Sequence, residues 1–238
     1  MRQLARCAIG SLVCGGVLSI NSTAAASTTN TLNWAAARQS VQNGSITIGS
    51  AHGRSNVATI ASSASIWGTA ADDFGMPGSG NAGVDGWAGA NGALLSDITG
   101  VSFDWYREGG GLGGGFRVAM YVYAPTATGD ISGFLQFDLT AQLPNQVGGQ
   151  WNSSGNMLVG ATGSAWYSAD YGSSQYAGYK TWAEIQTALA GWSVYEIGII
   201  NDAGYTASVS NFAVTFVPAP GAVALLGAAG LVARRRKA

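Results

Sequence analysis

Apolar and polar side chains alternate one for one along several stretches of this chain. A two-residue period puts every second side chain on the same face of an extended backbone, so these stretches predict strands with one buried face. Over 98–107, Val101, Phe103 and Trp105 share one face, and Ser102, Asp104 and Tyr106 the other. Over 116–123, Phe116, Val118, Met120 and Val122 alternate with Arg117, Ala119, Tyr121 and Tyr123. Over 131–140, Leu135, Phe137 and Leu139 oppose Gln136 and Asp138. The stretches 193–200 and 205–217 read the same way, and weaker strands are expected at 45–48, 56–61, 156–159 and 165–167. The connections are rich in Gly, Asn and Ser, as turns require. Residues 109–115 are expected to join two strong strands as a flexible hairpin loop, and Thr128-Gly129-Asp130 to form the next turn.

One short helix is expected near 181–190. Thr181 can cap it, with Glu184 three residues on completing a capping box. Trp182, Ile185 and Leu189 then share one face, and Gly191 ends the helix. Several strands, one helix and no βαβ rhythm predict an all-β fold: an antiparallel two-sheet sandwich, jelly-roll-like. A parallel β-helix would need a regular repeat, which the chain lacks.

Composition narrows the function classes. Of 238 residues, 47% are hydrophobic, enough to bury a core, which excludes a disordered chain. Charged residues are only 10%, and no basic surplus exists to neutralise phosphates, so nucleic acid is not an expected partner. Glycine is abundant, at 36 residues, but has no three-residue period, which excludes collagen.

The two ends read as sorting segments. Arg2 and Arg6 precede a mostly apolar stretch from Cys7 to Ile20, and Thr23-Ala24-Ala25-Ala26 offers a small-residue cleavage site. Residues 1–26 are therefore expected to be a signal peptide, cut after Ala26. An uncleaved anchor would need about 20 apolar residues, more than this run supplies. A lipoprotein site at Cys14 would need a small residue directly before it, where Val13 stands. Both cysteines fall within this segment, so the exported domain, 27–217, would have neither disulfides nor a thiolate site. The C-terminal segment, 218–238, opens with Pro218-Ala219-Pro220. It continues as 13 uncharged residues from Gly221 to Ala233, and ends in Arg234-Arg235-Arg236-Lys237-Ala238. As a helix that run is about 20 Å long, short of the roughly 30 Å hydrocarbon core. The basic cluster favours the cytoplasmic side.

This tripartite tail resembles the PEP-CTERM sorting signal of Gram-negative bacteria, with Ala219 in place of the glutamate between the prolines. The resemblance covers about 22 residues. It implies transient association with the inner membrane, processing by an exosortase-like enzyme, and delivery to the cell surface, the outer membrane or the extracellular matrix. Its carriers are Pro218, Pro220, Arg234, Arg235 and Arg236. The middle of the chain also resembles the lectin- or galactose-binding-like sandwiches common in such proteins, over about residues 90–217. The carrying residues are Ile98-Thr99-Gly100-Val101-Ser102-Phe103-Asp104, Thr181-Trp182-Ala183-Glu184-Ile185, Tyr195-Glu196-Ile197-Gly198-Ile199 and Ser210-Asn211-Phe212-Ala213-Val214. That likeness implies a fold and no binding residues.

Without its ends the chain keeps five basic and all twelve acidic side chains, a net charge of −7. Such a surface repels anionic polymers and is compatible with cations or neutral glycans. Catalytic signatures are sparse. His52 is the one histidine, in an expected turn at Ser50-Ala51-His52-Gly53-Arg54, and neither G-x-S-x-G nor HExxH occurs. A paired-carboxylate hydrolase could draw on Asp104, Asp138 or Glu196, for which solvated strand positions are the expected reading. Two G-x-G-x-x-G matches, at Gly78 and Gly109, lie in no βαβ unit and read as loop glycines. Asp72, Asp73 and Asp85, with Asn81 and Asn91, place hard oxygen ligands among glycines, a candidate Ca²⁺ loop; no other cofactor is expected. Trp151 with Asn152, and Trp166 and Tyr171 among Tyr167, Tyr176 and Tyr179, combine rings that stack on sugars with an amide that bonds hydroxyls. The expected role is non-enzymatic, a structural or adhesive component of the cell surface or its polysaccharide matrix. A carbohydrate-binding module, calcium-dependent or not, is the alternative, and a secreted polysaccharide hydrolase the third reading.

Overall fold

A computed structural model describes residues 26–82, 91–110, 116–124, 132–138, 147–158, 165–168 and 176–217. Among these, fifteen strands run in chain order. They are β1 (Thr28–Thr31), β2 (Arg38–Val41), β3 (Ile46–Ala51), β4 (Arg54–Ile60), β5 (Ala64–Thr69), β6 (Gly78–Ala82), β7 (Asn91–Leu94) and β8 (Ile98–Tyr106). Then follow β9 (Phe116–Tyr123), β10 (Ser132–Asp138), β11 (Asn152–Ser153), β12 (Ala165–Ser168), β13 (Tyr176–Lys180), β14 (Ser193–Asn201) and β15 (Ala207–Phe216). Among the described residues one α-helix, α1 (Trp182–Ala188), precedes β14.

The strands form two antiparallel sheets. The first has the order β11-β8-β15-β4-β3, and β1 continues the β4 side of β15. The second has the order β13-β12-β10-β9-β14-β5-β2, with the β6–β7 pair joined to β14. Antiparallel pairing throughout excludes a parallel β-helix. The expected alternation holds in β8, β9 and β10: Val101, Phe103, Trp105, Phe116, Val118, Met120, Leu135 and Phe137 are all buried. They meet the inward residues of the other sheet, with Phe103 and Phe116 ring centroids 6.0 Å apart.

In β15 the parity switches. Ala207 and Val209 face inward, and so do Phe212, Val214 and Phe216. A bulge between Ser210 and Ala213 resets the register, and Asn211 takes the extra position at φ 52°. Asparagine tolerates that left-handed conformation better than most residues. Phe212 consequently lands in the centre of the core, against Trp34, Phe74 and Phe103.

The helix is as expected. Thr181 Oγ1 accepts from the Glu184 backbone N–H while the Glu184 carboxylate accepts from the Thr181 N–H. Trp182 and Ile185 are buried, and the Trp182 indole N–H donates to the Ile98 carbonyl at 3.2 Å, tying the helix to the start of β8.

Three expectations are corrected. Residues 109–115, of which 111–115 lie outside the described residues, do not join a hairpin, because β8 and β9 lie in different sheets. Glycine content marks a mobile turn chemistry but carries no information about which sheet the chain enters next. Residues 156–158 are not a strand. The Asn156 side-chain oxygen accepts from the Val101 and Leu158 backbone N–H groups, and its amide donates to Thr99, a side-chain substitute for a ladder. Glu196 is not solvated: it is only 2% exposed and bonds the Arg38 guanidinium through both carboxylate oxygens. Asp104 and Asp138 are half-buried in ion pairs with Arg54 and Arg117. The turn at Thr128-Gly129-Asp130 lies outside the described residues, though β9 and β10 on either side of it do pair.

Antiparallel pairing of β1 with β15 sets Thr28 opposite Phe216. The first and last strands of the domain therefore meet at one pole of the sandwich. Ten residues back along β15, about 30 Å at 3.3 Å per residue, lies the opposite pole.

Candidate functional site

Four chain segments converge on that opposite pole. The turn between β3 and β4 is His52-Gly53, both with positive φ, at 50° and 78°, the conformation of a two-residue type I′ hairpin. A histidine there is unusual, and its ring finds compensation by stacking on Tyr106 at the end of β8, with centroids 3.7 Å apart. Residues 107–110 continue from β8, and the Arg107 carbonyl accepts from the Gly149 N–H at 2.7 Å, which brings in residues 147–151. The Asn201 amide donates to the Tyr205 carbonyl and fixes the loop between β14 and β15.

Trp151 is held tightly. Its indole N–H donates to the His52 carbonyl at 3.0 Å, and the Arg54 guanidinium lies over its ring at 4.2 Å. Arg54 also bonds Asp104 at 2.6 Å and Ser210 at 2.9 Å, and the Asn211 amide bonds the same Asp104 oxygen. A cation over a partly exposed indole is worth about 1 kcal/mol. Asn152 donates to the Val147 and Gln150 carbonyls, which closes the turn that carries Trp151. Both sequence candidates at this position thus brace the pole.

Beside them lies a cleft of about 440 Å³, lined by His52, Thr59, Tyr106, Arg107, Glu108 and Tyr205 with residues 206–208. The register explains the lining: Thr59, Ser208 and Tyr106 stand side by side on the outer face of β4, β15 and β8. Thr59 and Ser208 hydroxyls bond each other at 2.9 Å. Glu108 is the cleft's one carboxylate, 81% exposed, and accepts from the Tyr106 hydroxyl at 3.3 Å. Desolvation, with the neighbouring Glu108 charge, raises the Tyr106 phenol above its ordinary pKa.

Tyr205 is the unusual member. The Arg107 guanidinium covers its ring at 3.9 Å, and its hydroxyl is buried without a hydrogen-bond partner among the described residues. Burial, partly offset by Arg107, pushes its pKa up to about 12. The folded state then holds that proton more tightly than the unfolded chain, whose tyrosine titrates near 10. The contribution is fully present below pH 10 and is lost as pH rises through 12. Tyr205→Phe is therefore expected to leave neutral-pH stability unchanged or up to about 1 kcal/mol higher, since it removes an unpaired buried hydroxyl. The variant should also lose less stability than the parent between pH 10 and 12. Urea midpoints of both proteins across that range check this; parallel alkaline losses would refute the burial argument.

The other sequence candidates lie elsewhere. Trp166 is in β12, paired with Gln136 and Tyr179 of the second sheet. Tyr171 lies outside the described residues, as do Asp85 and the sorting residues Pro218, Pro220, Arg234, Arg235 and Arg236. Asp73 turns back on the end of β5, where one oxygen accepts from the Thr69 N–H at 2.7 Å and from the Thr69 hydroxyl. Asp72 is exposed. Among the described residues no three His, Cys, Asp or Glu side chains cluster as metal ligands, and no helix is long and apolar enough to cross a membrane. Asp104 is on the first sheet and Asp138 and Glu196 on the second, each paired with its own arginine, Arg54, Arg117 and Arg38. Comparison of the chain with protein-family models, curated proteins and solved structures returns no match.

Proposed function

We propose that this chain is an exported protein of a Gram-negative bacterium, delivered to the cell surface or extracellular matrix by a PEP-CTERM-type tail. In this reading it acts there as a non-enzymatic structural or adhesive β-sandwich. The observation that carries the reading is the tail sequence, Pro218-Ala219-Pro220, an uncharged run and Arg234-Arg235-Arg236, and the pairing of β1 with the end of β15 is compatible with it. The described strands begin at Thr28 and end at Phe216, next to Ala26 and Pro218, where the sorting segments are expected to stop and start. Leader and tail then join the sandwich at one pole, and an exosortase-like enzyme can reach the tail without opening the core. The tail would hold the domain briefly at the inner membrane with its other pole outward.

The test is the mature protein itself. Expressed in a Gram-negative host that carries an exosortase, the surface form is expected to begin at Ser27 and to lack Arg234, Arg235 and Arg236 by intact-mass measurement. Alanine at all three arginines should shift the protein to the inner-membrane fraction by at least about tenfold. A surface form that keeps its arginine cluster would sink the reading.

A second reading, a carbohydrate-binding module, is favoured by the rings and hydroxyls that line the cleft at the outward pole.

A further inference from the structure

We propose that the cleft between Tyr106 and Tyr205 binds a short neutral saccharide, which it holds by hydrogen bonds more than by ring stacking. The proposal deepens the carbohydrate reading and moves its site away from Trp151. About 440 Å³ falls within the range of small-ligand sites. One face of each tyrosine ring is already taken, Tyr106 by His52 and Tyr205 by Arg107. The Trp151 ring is likewise covered by Arg54. A flat row of open rings, which an insoluble polysaccharide surface requires, is thus not what this pole presents. It presents the hydroxyls of Thr59 and Thr206, with the buried Ser208 hydroxyl bonded behind Thr59, the exposed Glu108 carboxylate and the ring edges between them. Hydroxyls both donate and accept, and a carboxylate accepts from two sugar hydroxyls at once.

Charge selects the ligand class. The lining's cation, Arg107, is engaged over the Tyr205 ring, which leaves Glu108 as its exposed ion, and the domain around it carries −7. An acidic sugar would meet both. A neutral one is repelled by neither and gains the charge-assisted bond to Glu108. The buried Tyr205 hydroxyl is the lining's unsatisfied polar atom among the described residues, and a ligand hydroxyl reached by a small ring movement would complete it. The walls are set before binding, by the Trp151–His52, Gly149–Arg107 and Asn201–Tyr205 hydrogen bonds, so little ordering entropy is lost.

The test uses the full chain purified in mild detergent, titrated calorimetrically with cellotriose, xylotriose, mannotriose and galactotriose, and with trigalacturonate as the anionic arm. At least one neutral trisaccharide is expected to bind, and trigalacturonate at least about tenfold more weakly. Glu108→Gln, at an exposed position, and Tyr205→Phe, which conserves the ring, should each weaken the neutral ligand about tenfold. Preference for trigalacturonate overturns the ligand class. Neutral binding that both variants leave unchanged overturns the site. Binding of no saccharide overturns the proposal outright, while surface delivery, read from cell fractions and terminal masses, stands or falls separately.

Discussion

Gly198→Val is expected to cost the domain about 3 kcal/mol or more, a large share of the 5–15 kcal/mol that holds an ordinary domain together. Gly198 sits in the middle of β14, between β5 and β9. A Cβ there would stand 2.5 Å from two atoms of the Trp67 ring and 2.6 Å from the Ile66 carbonyl oxygen. The backbone atom cannot swing aside, and the indole is nearly immobile as well. It donates to Ser65 at 2.8 Å, packs against Tyr121 with centroids 4.8 Å apart, and lies beneath the Arg38 guanidinium. Arg38 in turn is tied to the buried Glu196 carboxylate two residues along β14, a bond that holds its own proton more firmly still. An added side chain must therefore disturb the ring, the ion pair and the strand pairing together. The urea midpoint of the purified chain measures the cost. If Gly198→Val unfolds the protein altogether, Gly198→Ala with and without Trp67→Leu gives the coupling. An Ala substitution no less stable than the parent would mean that the indole yields freely, contrary to its contacts.

Phe212→Ala is the second large effect, about 3–5 kcal/mol. The ring is fully buried, stacked on Trp34 at 5.8 Å, with Phe74 at 5.7 Å and Phe103 at 6.5 Å. Its backbone carbonyl accepts from the Leu32 N–H at 2.8 Å, so the same residue fastens the segment after β1. The bulge at Asn211 prevents the neighbours from sliding into the void, because a shifted strand would turn Val214 and Phe216 outward. Phe212→Leu should lose less than half as much. Denaturant midpoints for both variants check the order; equal losses would show that the cavity collapses.

The strands that could be read from the chain are those with one dry and one wet face, such as β8 and β10. β5 escaped because it is central and nearly all buried: Ala64, Ile66 and Trp67 are dry on both faces, so no alternation survives. β1 escaped for the opposite reason. Thr28-Thr29-Asn30-Thr31 is wholly polar, an edge strand held by its ladder and by the Thr29–Thr215 and Asn30–Phe74 side-chain bonds. The misreading of Glu196 follows from the same gap. It occupies a polar slot in β14, but its partner Arg38 comes from β2, whose pattern Arg-Gln-Ser-Val shows no apolar face. The cleft was hidden by distance along the chain. His52, the run from Tyr106 to Glu108, and Tyr205 share no motif and come from three distant parts of the chain. A Tyr-Arg-Glu run at a strand end and a lone histidine before glycine were the only available hints. Trp151 was conspicuous as a residue type, and its ring turns out to be engaged by Arg54.

The contact between Thr29 and Thr215 spans 186 positions of sequence. Pairing that distant closes slowly, because nearly the whole chain must first be gathered. The first strand to leave a ribosome or a translocation channel is thus among the last to find its place. Until residues 213–216 arrive, β1 has no strand to pair with. The β1–β15 clasp consequently reports completion: a truncated chain leaves an open edge and a partly bare core, which proteases and neighbouring chains can attack, while a full-length one shuts it.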